Sequence, residues 1–219
     1  MNCAFAALAC AVLGSMVSGC SSKPQANSPA APPQNTAISA HSRALPPEAL
    51  KGRTLLTKAQ LDQAIDSGTL DRPVNSLLTV DGPLRFGDFV WNDKGIPAGP
   101  IWVRIDLGKQ LLSVFRGGDE IGTGVVVYGG DNKKTPAGKF HILMKDRDHR
   151  SSLYDAAMPY TLQLTGDGVS IHGSTVRWGA ATHGCIGLPL DFARRLFEQA
   201  KVGDEVVIVP PAKRPSPTA

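Results

Sequence analysis

IWVRIDLGKQLLSVFRGGDEIGTGVVVY, residues 101–128, reads as three strands in succession. Ile101–Leu107, Leu111–Arg116 and Ile121–Tyr128 are each β-branched or alternating, and glycine-containing turns separate them, which is the pattern of an antiparallel meander. Working outward, Lys139–Met144, Thr161–Leu164, Val169–His172 and Glu205–Val209 add strand candidates. One helix is expected late, over Asp191–Ala200, with Asp191 as N-cap and Phe192, Leu196, Phe197 and Ala200 on one apolar face. The body is therefore mostly β with a late helix, and no internal repeat of fixed period is present.

Upstream, residues 48–99 read as a small helical and irregular extension packed on this body, too short to be a separate binding module. Thr57-Lys58-Ala59-Gln60 has the spacing of a capping box ahead of Leu61 and Ile65, and Gly68 is placed to stop a short helix after Ser67. Between residues 71 and 99, Gly, Pro and Asp interrupt the apolar Leu84, Phe86, Phe89 and Trp91, giving short strands and turns.

The chain begins differently. Residues 1–22 carry no charged side chain, and the apolar run from Ala4 to Val17 is short for a bilayer span, so residues 1–19 are read as an export signal. Val17-Ser18-Gly19-Cys20 resembles a bacterial lipobox, in which Cys20 is lipidated and becomes the mature N-terminus; the competing reading is an ordinary secretory signal cut nearby. Residues 20–47, rich in Pro, Ala, Ser, Gln and Asn, read as a disordered tether, and 211–219 as a flexible tail. The expected location is the periplasm, anchored to a membrane through lipid. Ser21, rather than Asp, follows the cysteine and favours the outer membrane over the inner one by resemblance to enterobacterial lipoproteins.

Export makes the cysteine count informative. Of four cysteines, Cys3 and Cys10 leave with the signal and Cys20 carries lipid, so Cys185 remains as a lone thiol in an oxidising compartment. A lone thiol there is exposed to oxidation and wrong pairing, which favours a functional cysteine over an inert core one. With a formal charge of +4 and scattered Lys and Arg, no basic stripe suggests nucleic acid as a partner, and no cofactor is implied.

A thiol attacks as thiolate, and a nearby imidazole can take its proton and later return one to a leaving amine. His172 is the best partner: it ends the run Val169-Ser170-Ile171 and precedes Gly173, which puts it at the mouth of a strand. Gly184, lacking a side chain, lets a substrate carbonyl approach the backbone N–H groups of an oxyanion hole. His141 and His149 are read as packed or solvent-facing, and His41 lies in the tether. Tyr160, in Met158-Pro159-Tyr160, is a weak candidate for lining the cleft.

Two segments carry a family resemblance. Ile171-His172-Gly173 followed by Thr182-His183-Gly184-Cys185-Ile186 resembles the L,D-transpeptidase (YkuD-type) signature, and Thr135-Pro136-Ala137-Gly138-Lys139-Phe140 resembles that family's T-P-x-G-x-F strand entry. The similarity covers residues 100–210 and implies a β-sandwich-like catalytic domain. It implies that Cys185 attacks a stem tetrapeptide of peptidoglycan, releasing D-Ala. The thioester then passes to an amine of another stem, of a protein or of a D-amino acid, or to water. It also implies His172 as general base, Gly173 as the residue whose carbonyl orients that imidazole, and Thr182 and His183 as residues shaping the site. The N–H groups of Gly184 and Cys185 become the oxyanion donors. One position departs: the family has Arg or Asn two residues after the cysteine, where this chain has Gly187. Arg177, in the loop from Ser174 to Ala181, is a candidate to compensate by binding a substrate carboxylate. Three alternatives stand beside transfer: hydrolysis on the same fold, a wall-binding lipoprotein without turnover, and a zinc site made of His172, His183 and Cys185, whose spacing matches no familiar zinc pattern.

Overall fold

Two glycines in the third strand of the meander decide how the layers meet. The computed structural model describes residues 45–130, 133–151 and 155–211. The export signal, Cys20, the tether through residue 44 and the tail from residue 212 lie outside the described residues.

In chain order the elements are α1 (Pro47–Leu50), β1 (Arg53–Leu55), α2 (Lys58–Asp66), β2 (Ser76–Leu78), β3 (Phe89–Trp91), β4 (Ile101–Asp106), β5 (Leu111–Arg116) and β6 (Asp119–Val125). They continue with β7 (Gly138–His141), β8 (Met144–Arg150), β9 (Ala157–Gln163), β10 (Ser170–Gly173), β11 (Ile186–Leu188), α3 (Leu190–Gln199) and β12 (Glu205–Val209). One sheet runs β1-β2-β6-β5-β4-β12-β7, with β3 also paired to β6, and a second sheet runs β11-β10-β9-β8. The meander is present as antiparallel β4–β5 and β5–β6 pairs. The fold is mostly β with one late helix, as expected, although α3 begins after Pro189 and Asp191 sits in its first turn without capping it.

The core gathers the apolar faces of β4, β5, β6 and β12, those of β9, β10 and β11, and the buried Phe192, Ala193 and Leu196 of α3. Phe192 stacks on Phe89 with ring centroids 5.2 Å apart and meets Trp91 edge-on at 6.0 Å. These three rings fit because β6 is bare on that face. A Cβ on Gly122 would stand 2.7 Å from Trp91 Cζ3, and one on Gly124 would stand 2.7 Å from Phe89 Cβ and 2.9 Å from Phe192 Cε1. Cross-strand aromatics thus cover strand glycines, with Phe89 opposite Gly124 and Trp91 opposite Gly122.

The extension supplies three strands and so joins the main sheet more fully than a helical and irregular segment would. Ser76 pairs with Asp119, its hydroxyl donating to Asp119 Oδ1 at 2.6 Å, and Leu78 N–H donates to Glu120 Oε2 at 2.8 Å. Burial pushes the Glu120 carboxyl up, and Arg53, whose guanidinium donates to the carbonyls of Glu120 and Asn92, offsets part of that. The expected capping box is formed: Gln60 N–H donates to Thr57 Oγ1 and Thr57 N–H to Gln60 Oε1. Leu61 and Ile65 of α2 cover a second cluster in which Trp102 and Phe115 stack at 4.1 Å.

Gly122→Ala is expected to overpack this aromatic layer and destabilise the fold by about 1–3 kcal/mol. Thermal and urea unfolding check it; an unchanged midpoint would show that the rings are not confined by the bare strand.

Candidate active site

The Thr182-His183-Gly184-Cys185 turn is held from below by a second loop. Thr135 Oγ1 accepts from Gly129 N–H and donates to the Gly184 carbonyl, both at 2.9 Å. Gly130 N–H donates to Thr182 O at 3.2 Å, Thr182 N–H to Tyr128 O at 3.0 Å, and the Thr182 hydroxyl to the Cys185 carbonyl. Gly184 has φ +98°, a conformation side chains rarely adopt, and Gly129 is bare because a Cβ there would stand 2.8 Å from Gly184 N. The N–H groups of Gly184 and Cys185 donate to no backbone carbonyl among the described residues, which leaves them available to an incoming oxygen.

Cys185 and His172 line one cleft of about 470 Å³, together with His183, Thr182, Ser174 and Lys133. His172 is the third residue of β10, in parallel register with Gly187 of β11, and is buried rather than set at an open strand mouth. Its Nδ1 lies 2.9 Å from the Gly173 carbonyl. A carbonyl only accepts, so Nδ1 carries the proton and Nε2 is left with its lone pair.

Burial dominates the electrostatics. It pushes the His172 imidazole down, against the Gly173 hydrogen bond, and pushes the Cys185 thiol up, against the Ser170 N–H and the Lys133 ammonium. The resting pair is therefore a neutral thiol and a neutral imidazole. Cys185 Sγ makes a long contact of 3.7 Å to the Gly168 carbonyl.

Three sequence expectations fare differently in space. Tyr160 does not line the cleft: its φ of +58° interrupts the alternation of β9, and its ring packs against Phe197 at 5.7 Å under Arg147. Arg177 is likewise not among the cleft-lining residues. His172, His183 and Cys185 do not assemble a metal site, and no group of three His, Cys, Asp or Glu suited to a metal occurs among the described residues.

Other lining residues escape a reading of motifs. His149 lines the cleft, its Nδ1 3.1 Å from Asp146 Oδ2, and so do Asp167 and Gly168. β8, Met-Lys-Asp-Arg-Asp-His-Arg, has no apolar alternation that could point to His149. Lys133 and Asp167 lie in loops with no pattern to place them.

Gly187, the departing position, has no room for a side chain. Its N–H and carbonyl both bond Val127, and a Cβ would stand 2.7 Å from Val127 Cγ2 and 2.8 Å from Ser174 Cβ. Ser174, which lines the cleft, occupies that space.

A buried imidazole with one fixed tautomer that shares a cleft with a thiol, on a mostly β scaffold, places the molecule in the class of proteins with a cysteine–histidine cleft. Residues 100–208 match the model of the YkuD family, the L,D-transpeptidase catalytic domain, and the chain carries a domain of that family. L,D-transpeptidase 1 of Mycobacterium tuberculosis (strain ATCC 25618 / H37Rv) is 29% identical over 120 residues, covering 47% of this chain and 48% of its own length. The chain thus spans about half the length of the curated relatives it matches. Among solved structures, an L,D-transpeptidase from Stackebrandtia nassauensis is 26% identical with a TM-score of 0.47, covering 52% of this chain and 57% of its own. The crystal structure of Mycobacterium tuberculosis L,D-transpeptidase 1 is 25% identical with a TM-score of 0.45, covering 50% and 61%.

Gly187→Asn, which installs a residue usual at that position in the family, is expected to lower stability by about 1–3 kcal/mol because β11 must move away from Val127 and Ser174. Differential scanning calorimetry reads this directly, and an unaltered transition would mean that the space is open.

Proposed function

We propose that the protein is a peptidoglycan L,D-transpeptidase in which Cys185 is the nucleophile and His172 the base. The observation that carries this is the tautomer of His172: with Nδ1–H held by Gly173, Nε2 alone is left to accept the thiol proton. In this reading Sγ bonds to the carbonyl carbon joining the third and fourth residues of a stem tetrapeptide as its proton passes to Nε2. The oxygen takes up negative charge against the N–H groups of Gly184 and Cys185. Collapse breaks the amide bond, the imidazolium returns the proton to the departing D-Ala amine, and a thioester remains. An acceptor amine then attacks the thioester, Nε2 takes its proton, and Sγ leaves and is reprotonated. Water in place of the amine gives hydrolysis. Burial disfavours both the thiolate and the imidazolium, so the charge-separated pair is the minor form at rest.

The test is incubation of the full chain with tetrapeptide muropeptides, followed by mass spectrometry of protein and products. The expected results are an acyl-enzyme on Cys185 and cross-linked dimers, with both abolished in Cys185→Ala while its unfolding transition is retained. Tripeptides without dimers would make the protein a hydrolase; binding with no acyl-enzyme would make it a wall-binding protein.

The same reading places the chain in the periplasm, anchored through lipid on Cys20, on the strength of the uncharged apolar run and the Val17-Ser18-Gly19-Cys20 sequence. Metabolic labelling with a clickable fatty acid is expected to mark the protein, and Cys20→Ser to lose the label. Equal labelling of both would remove the anchor.

A further inference from the structure

Lys133 follows the end of the meander, and its N–H donates to the Gly130 carbonyl at 3.2 Å. Its side chain runs across Gly184, the residue before Cys185: Cγ, Cδ and Cε lie 3.4, 3.6 and 3.5 Å from where a Cβ on Gly184 would stand. A lysine on a surface turn ordinarily moves freely in water, but here the alkyl stem is laid along a bare backbone and delivers the ammonium to the cleft beside Cys185. Among the described residues that ammonium makes no ion pair within 4 Å and no hydrogen bond, and its charge acts on the Asp167 carboxylate as well as on the Cys185 thiol.

The thiol it approaches is hard to ionise. Burial opposes the thiolate, burial also opposes an imidazolium at His172, and the Asp167 carboxylate, which lines the same cleft, adds repulsion. The groups facing Cys185 are Lys133 from the loop before β7, Asp167 from the β9–β10 turn, His172 from β10, His149 from β8 and His183 from its own turn. An ammonium stays charged across the range in which imidazoles lose their charge.

We propose that Lys133 supplies the fixed positive charge against which the Cys185 thiolate forms, as a positioning residue that acts through Cys185. The inference rests on the reading of Cys185 as nucleophile. Gly184, held at φ +98°, offers the bare backbone on which the lysine stem lies.

The experiment follows alkylation of Cys185 by iodoacetamide in the full chain across neutral and alkaline pH, read at the Cys185 peptide by mass spectrometry. Lys133→Met keeps an unbranched stem on Gly184 and removes the charge; it is expected to raise the pH midpoint by about one unit, or slow alkylation about tenfold at neutral pH. Lys133→Gln should do the same and Lys133→Arg should restore the native midpoint, with thermal unfolding identifying the folded variants. Unshifted midpoints in the uncharged variants, or an arginine variant that behaves like them, overturn the inference. Failure of the native chain to form a thioester with tetrapeptide would instead remove the reading of Cys185 as nucleophile and leave the alkylation result standing.

Discussion

One hydroxyl ties the floor of the cleft together. Thr135 Oγ1 accepts from Gly129 and donates to Gly184, using one donor and one acceptor site, and it is nearly fully buried while doing so. An unsatisfied buried polar group costs about 1–3 kcal/mol, so the loop before β7 and the turn before β11 are fixed relative to one another. The position of the Cys185 thiol follows from that turn, and so does the path of the Lys133 stem across Gly184. The threonine of the T-P-x-G segment and the glycine before the cysteine are far apart in sequence and form one contact.

The second dependence is the parallel pairing of β10 with β11. It places His172 in register with Gly187, and Ser174 N–H donates to the Leu188 carbonyl at 2.7 Å, which extends the pairing past the histidine. The imidazole is thereby buried with one nitrogen committed to Gly173. Burial raises the energy of every charged form in the cleft. The arrangement keeps the thiol protonated at rest, and a neutral thiol resists adventitious oxidation better than a thiolate does.

Much of this was legible because it depends on local pattern. The meander, the capping box at Thr57 and the late helix follow from period, spacing and caps, and each is present close to its expected bounds. The cysteine and histidine stood out by count and by neighbouring glycines. What escaped depends on tertiary placement. β8 is rich in charge, Met-Lys-Asp-Arg-Asp-His-Arg, because it is the edge of the second sheet, where charge blunts unwanted pairing. β1 and β11 are three residues each and owe their existence to partners. Tyr160 has the composition of a cleft residue, but a positive φ turns its ring toward α3.

Gly187 shows how a departure at one position is absorbed at another. Read along the chain, it marks a lost polar side chain beside the thiol. In space, the Cβ direction from Gly187 ends on Val127 and on Ser174, so no arginine or asparagine could leave the strand there without moving it. The hydroxyl of Ser174 reaches the same wall of the cleft from the neighbouring strand end. A polar atom is therefore still presented, on a shorter arm and one strand over, and Lys133 adds a charge to the same cleft. The chemistry open to the cleft is set by where polar atoms converge, and a motif read one position at a time registers such an exchange only as a loss.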